Sequence, residues 1–105
     1  MCGRFTFATK RETLKRQFKV DNLLDDPPVS YNVAPTQQIP IIREEPGTGR
    51  LISTAHWGLI PFWARDRKMS HQTINARAET ARNKPSFRHC FRRKRCIIPA
   101  SGFFE

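Results

Sequence analysis

The chain has 105 residues, enough for one small domain or part of a larger one. A hydrophobic share of 38%, including eight Phe and two Trp, calls for a buried core and argues against a disordered chain. Nineteen Lys and Arg against nine Asp and Glu leave a formal charge of +10, which points to a polyanionic partner, nucleic acid ahead of an acidic membrane surface.

No stretch reaches the roughly 18 apolar residues of a membrane span, and no signal-peptide pattern opens the chain. The expected setting is therefore intracellular with reduced thiols, cytoplasmic in a bacterium or nuclear in a eukaryote. An odd cysteine count of three suits that setting. Cys90 and Cys96 lie near His89, but there is no C-x-x-C pair and no fourth ligand at finger spacing. They are expected to be buried thiols, with no metal and no cofactor.

Taken in order, the chain opens on Met1-Cys2-Gly3-Arg4. Trimming of Met1 before a small residue would leave Cys2 with an α-amine and a thiol on adjacent carbons. Free amino termini titrate at about 8 and free thiols at about 8.5, so each keeps a nucleophilic fraction near neutral pH. Such a pair condenses with an aldehyde to a thiazolidine, or the thiolate attacks an acyl carbon with the amine as base. Taken alone, Cys2 reads better as a solvated terminus with no role.

Residues 3–8 alternate apolar and polar, which predicts a short strand with Cys2 at its end. Thr9-Lys10-Arg11-Glu12 has the form of a capping box, and Leu14 and Phe18 follow at helical spacing, predicting a helix of about ten residues. Asp25-Asp26-Pro27-Pro28 breaks it. Residues 30–37 read as extended, because Ala34 precedes a proline. Ile39–Arg43 and Arg50–Trp57 read as two strands joined by the turn 44–49 into a hairpin, with Pro40 restricting its strand to an edge or a strand start.

Trp57-Gly58-Leu59-Ile60-Pro61-Phe62-Trp63 reads by default as a core-packing loop, although exposed aromatics beside basic residues would also stack on bases. Residues 75–80 lead into a short helix. Arg82–Arg95 holds seven Lys and Arg and no acidic residue. A helix after Pro85 is expected there, its Phe side chains buried and its Arg side chains outward. Cys96-Ile97-Ile98-Pro99 reads as a buried strand, and Gly102-Phe103-Phe104-Glu105 begins another element. The fold class expected is α+β: an antiparallel, barrel-like sheet core with short peripheral helices.

No single stretch is diagnostic, but their order is. Met1–Arg4, Tyr31-Asn32-Val33-Ala34-Pro35-Thr36-Gln37, Trp57–Ala64, Asn75-Ala76-Arg77-Ala78-Glu79-Thr80, Lys84–Arg88 and Arg95–Glu105 together resemble, in register over essentially the whole chain, the SRAP (SOS response-associated peptidase) family. The resemblance implies a sensor of abasic sites in single-stranded DNA. It would form a covalent thiazolidine crosslink between its N-terminal cysteine and the ring-opened abasic sugar, and peptidase activity would be self-processing that exposes Cys2.

Residue by residue, the resemblance implies Cys2 as the crosslinking residue, Asn75 as the active-site asparagine and Glu105 as the active-site carboxylate. Glu105 would relay protons between the Cys2 amine and the sugar. It implies Arg77 as a phosphate contact, with Arg4 a further candidate. Without the family pattern, Asn75 would read as a capping or turn side chain and Glu105 as an exposed strand carboxylate. Family members are longer, and their second half supplies a further histidine and part of the DNA groove. None of His56, His71 or His89 occupies that motif. Residues 1–105 are accordingly expected to be the N-terminal portion of a single SRAP-like domain whose partners are abasic single-stranded DNA and the remaining half.

Two other readings stay open at this point. Class II glutamine amidotransferases also open with Met-Cys-Gly, so Cys2 would serve equally as the nucleophile of a peptidase or amidohydrolase. A module that only holds DNA by charge would show steeply salt-dependent binding without chemistry.

Overall fold

A computed structural model describes residues 2–104 of the chain. Strand β1 (Arg4–Phe7) turns Phe5 and Phe7 inward, 5% and 2% exposed, and leaves Arg4 on the outside. It is the central strand of a three-stranded antiparallel sheet, between β3 (Ser30–Val33) and β6 (Gly102–Phe104). The register places Phe5 opposite Val33 on one side, and Arg4 opposite Phe104 on the other.

Helix α1 (Arg11–Phe18) has eight residues, shorter than expected, and inserts Leu14 into the core. The capping box does not form. The N-cap is Lys10 and makes no side-chain cap bond, while the Thr9 hydroxyl pairs with that of Ser101 at 3.3 Å. Lys19 ends the helix in the left-handed region, so the helix stops well before the Asp-Pro segment expected to break it.

The second sheet holds the predicted hairpin. Strands β4 (Gln38–Glu45) and β5 (Gly49–His56) pair from Gln38 opposite His56 to Glu45 opposite Gly49. Gly47 and Gly49 carry the positive φ of its turn. The short β2 (Asn22–Leu23) pairs in parallel with β5, so this sheet is mixed, in the order β2-β5-β4. Pro40 therefore lies on an edge strand, as its missing N–H requires.

The expected buried strand at Cys96–Pro99 is a single bridge, Ile97 to Ile42, with Cys96, Ile97 and Ile98 exposed and only Pro99 buried. Extending that ladder by two residues would set Pro99 opposite Pro40, and neither has a donor. The thiol expectation also changes: Cys96 is exposed and Cys90 half-buried.

A 3-10 helix (Arg67–Gln72) that the sequence did not suggest begins where Asp66 accepts from the Lys68 amide at 2.9 Å. The helix expected after residue 75 is instead a run of separate turns, closed by bonds such as Ala81 N–H to Arg77 O at 2.9 Å. Helix α2 (Arg88–Arg93) follows Pro85 as expected. Its Phe91 is half-buried rather than buried, with Arg82 and Arg95 stacked against the ring at 5.7 and 4.4 Å from its centroid.

The core joins both sheets and α1 through Phe5, Phe7, Leu14, Val20, Val33, Ile39, Ile42 and Ile52, with Cys2 and Trp57 packed at its margin. The architecture is α+β, as expected, although the two sheets do not close into a barrel. No helix among the described residues is long and apolar enough to cross a membrane.

Candidate active site at Cys2 and Asn75

Cys2 immediately precedes β1 and is half-buried against the core. Its thiol donates to the Arg4 carbonyl at 3.4 Å, within the sulfur range. Its carbonyl accepts from Nδ2 of Asn75 at 2.8 Å. The structure thus brings together two residues 73 positions apart in the chain, and Asn75 is neither a helix cap nor a turn former. Its side-chain amide fixes the main chain of Cys2.

Two contacts hold the segment that presents Asn75. Thr73 donates its hydroxyl to the Leu59 carbonyl, and the Trp57 indole Nε1–H donates to the Ile74 carbonyl at 2.8 Å. Gly58, between Trp57 and Leu59, has a φ of 114°, and a Cβ there would meet the Ser70 carbonyl oxygen at 2.7 Å. Only a glycine lets the 3-10 helix approach this closely.

Arg77 is exposed, two residues beyond Asn75, and lines with it a groove of about 350 Å³ that also takes in Thr80, Lys84 and Phe87. Arg4 projects from the outer face of β1 and donates from Nη1 to Oδ1 of Asn32 on β3 at 3.1 Å. Asn75 touches Cys2 through its hydrogen bond and lines one groove with Arg77, while the Arg4 side chain lies on Asn32. Glu105 lies outside the described residues. A separate groove along β4, lined by Ile42, Arg43, Arg50, Arg95 and Cys96, shares none of these residues. Partial burial there pushes the Cys96 thiol up, although the residue as a whole is exposed.

The aromatic loop divides in two. Trp57 packs on Phe5, ring centroids 5.4 Å apart, as the core reading expected. Phe62 is 79% exposed and meets His89 edge-on at 5.2 Å, with Arg88, Arg92 and Arg93 around the same groove. Exposed aromatics beside arginines are what base stacking needs. Sequence reasoning passed over Asn32 and the donor role of Trp57. The signal for Trp57 was present, because an indole set into a core margin has one N–H that must find a partner.

The family model described as SOS response associated peptidase (SRAP) matches residues 1–105. The chain is 48% identical over 107 residues to the abasic site processing protein YoqW of Bacillus subtilis (strain 168), covering all of this chain and 47% of that protein. It is 31% identical over 87 residues to the abasic site processing protein HMCES of Xenopus tropicalis, covering 72% of this chain and 26% of that one. A crystal structure of a protein from Bordetella bronchiseptica superposes with a TM-score of 0.78 at 28% identity, over 99% of this chain and 50% of that one. The chain spans about half the length of the curated relatives it matches. With a family match over residues 1–105, this chain belongs to the SRAP family.

Proposed function

We propose that the protein recognises abasic sites in single-stranded DNA and traps them covalently through Cys2 once Met1 is removed, the removal being a self-processing step. The Cys2 α-amine adds to the C1 aldehyde of the ring-opened sugar, and the carbinolamine loses one water to give an imine. The thiol then adds across the C=N bond: sulfur bonds to carbon, and the thiol proton passes to nitrogen. The five-membered thiazolidine that results joins protein to DNA with net release of one water.

Each chain residue has a defined task in this reading. Asn75 holds the Cys2 carbonyl, which sets the direction of the amine and the thiol on the same residue. Glu105, next in sequence after Phe104, supplies the carboxylate that takes the ammonium proton and returns it to the leaving oxygen. Arg77, and Arg4 steadied by Asn32, take backbone phosphates, a task suited to a planar guanidinium. The observation that carries the proposal is the 2.8 Å bond from Asn75 to Cys2, because a merely solvated terminus has no need of a side-chain clamp. The names of YoqW and HMCES, both abasic site processing proteins, support the same substrate.

The test is an oligonucleotide with one abasic site, incubated with the full-length protein and run on a denaturing gel. A shifted band is expected for the wild type and none for Cys2→Ala. Ammonia release from glutamine without a DNA adduct would favour the amidohydrolase reading instead.

A further inference from the structure

Asn75 sits in a stretch without regular secondary structure, so nothing in its own backbone hydrogen bonding explains how its amide is aimed. What precedes it is tied to one place. The Thr73 hydroxyl reaches the Leu59 carbonyl, and the Ile74 carbonyl, one residue before Asn75, receives the Trp57 indole N–H at 2.8 Å. Trp57 is itself held on both sides. Its amide donates to Gln37 O at 3.0 Å, and its carbonyl accepts from the Thr36 amide at 2.9 Å. Its ring packs at 51° on Phe5, three residues after Cys2 on the same strand segment.

These contacts close a circuit. It runs from Cys2 along β1 to Phe5, across ring packing to Trp57, through the indole N–H to Ile74, and from Asn75 back to the Cys2 carbonyl. We propose that Trp57 is a positioning residue for the crosslinking reaction: its indole N–H places Asn75, and Asn75 places Cys2. This inference rests on the proposed crosslinking chemistry. An indole offers a single donor of fixed direction, so it holds a carbonyl where an apolar ring of the same bulk does not. Misplacement of a reacting group by 1 Å costs on the order of 100-fold in rate, so this contact needs to slip only a fraction of that to be felt.

Trp57→Phe in the full-length protein keeps a ring against Phe5 and removes the donor. The expected result is an adduct rate at saturating abasic DNA lowered about 2- to 12-fold, no further than Asn75→Ala lowers it, with affinity for undamaged single-stranded DNA nearly unchanged. In an Asn75→Ala background the same substitution should add no further loss, because Trp57 acts only through Asn75. Equal rates for wild type and Trp57→Phe, or an undiminished second loss in the Asn75→Ala background, would overturn the proposal.

If Trp57→Phe folds poorly, 3-benzothienylalanine at position 57 replaces the N–H by sulfur at nearly constant volume and takes the same test. The Asn75 side-chain amide resonances supply a readout independent of crosslinking. They should be dispersed in the wild type and move towards free-amide positions when the indole donor is lost. If the wild type forms no adduct, the crosslinking reading fails, and these resonances still decide whether Trp57 holds Asn75.

Discussion

The bond between Asn75 and Cys2 is the contact from which residue-scale behaviour follows. A net hydrogen bond contributes about 0.5–1.5 kcal/mol, so Asn75→Ala should slow adduct formation about 2- to 12-fold, read as a time course on denaturing gels. Asn75→Asp should be slower still, because a carboxylate sets a second acceptor against the Cys2 carbonyl. Cys96 makes a prediction of a different kind. Desolvation raises its thiol pKa, so it keeps its proton where an unfolded cysteine begins to lose it. In a variant with Cys96 as its sole cysteine, alkylation of the folded protein should lag behind that of the denatured chain and catch up as pH rises. By linkage the unfolded chain gives up this proton first, so the contribution of Cys96 to stability falls as pH rises past the ordinary thiol range. Both candidate residues were legible as residue types. Their partners, Asn32 for Arg4 and the Cys2 carbonyl for Asn75, were not, because each contact spans distant parts of the chain.

Local chemistry predicted the elements well where pattern and turn residues agreed. The β4–β5 hairpin formed in the expected place because two apolar-rich runs flank a Pro-Gly-Thr-Gly turn that supplies the positive φ values. It failed where a tertiary contact outbid a local one. Thr9 had the spacing of a helix cap, but Ser101, 92 residues away, took its hydroxyl. The Cys96–Pro99 strand failed because two prolines would have faced each other across the ladder. At this scale Gly58 is the sensitive point. Gly58→Ala combines a φ of 114° with a Cβ at 2.7 Å from the Ser70 carbonyl oxygen. Such strained positions cost about 1–3 kcal/mol, and the lowered thermal midpoint should come with loosened Thr73–Asn75 amides in hydrogen exchange.

Across the whole molecule the excess of positive charge is spread over Arg4, Arg77 and the Arg82–Arg95 run, which includes the α2 arginines, rather than spent on internal ion pairs. The ion pairs among the described residues, such as Arg11–Asp26 and Arg50–Glu44, draw on other arginines. Affinity for undamaged single-stranded DNA should therefore fall steeply with salt in a log–log plot. Removing Arg77 should reduce the slope by about 0.7, the value for one phosphate contact on a single strand. A slope unchanged in Arg77→Ala would take Arg77 off the phosphate path. Phe103 and Phe104 on the edge strand β6 remain exposed, at 67% and 53%, as do Ile97 and Ile98 beside β4.

The sequence by itself determined the charge, the α+β class, the hairpin, the family and the identity of the candidate residues. These depend on composition, on period-two alternation and on motifs in fixed order, all of which are local or countable. Tertiary structure alone decided that Asn75 clamps Cys2, that Trp57 reaches the Ile74 carbonyl, that Asn32 steadies Arg4 and that Gly58 admits the 3-10 helix. Each of these joins segments separated by loops of no regular period. A single donor or a missing Cβ finds its partner only after the core has brought the segments together.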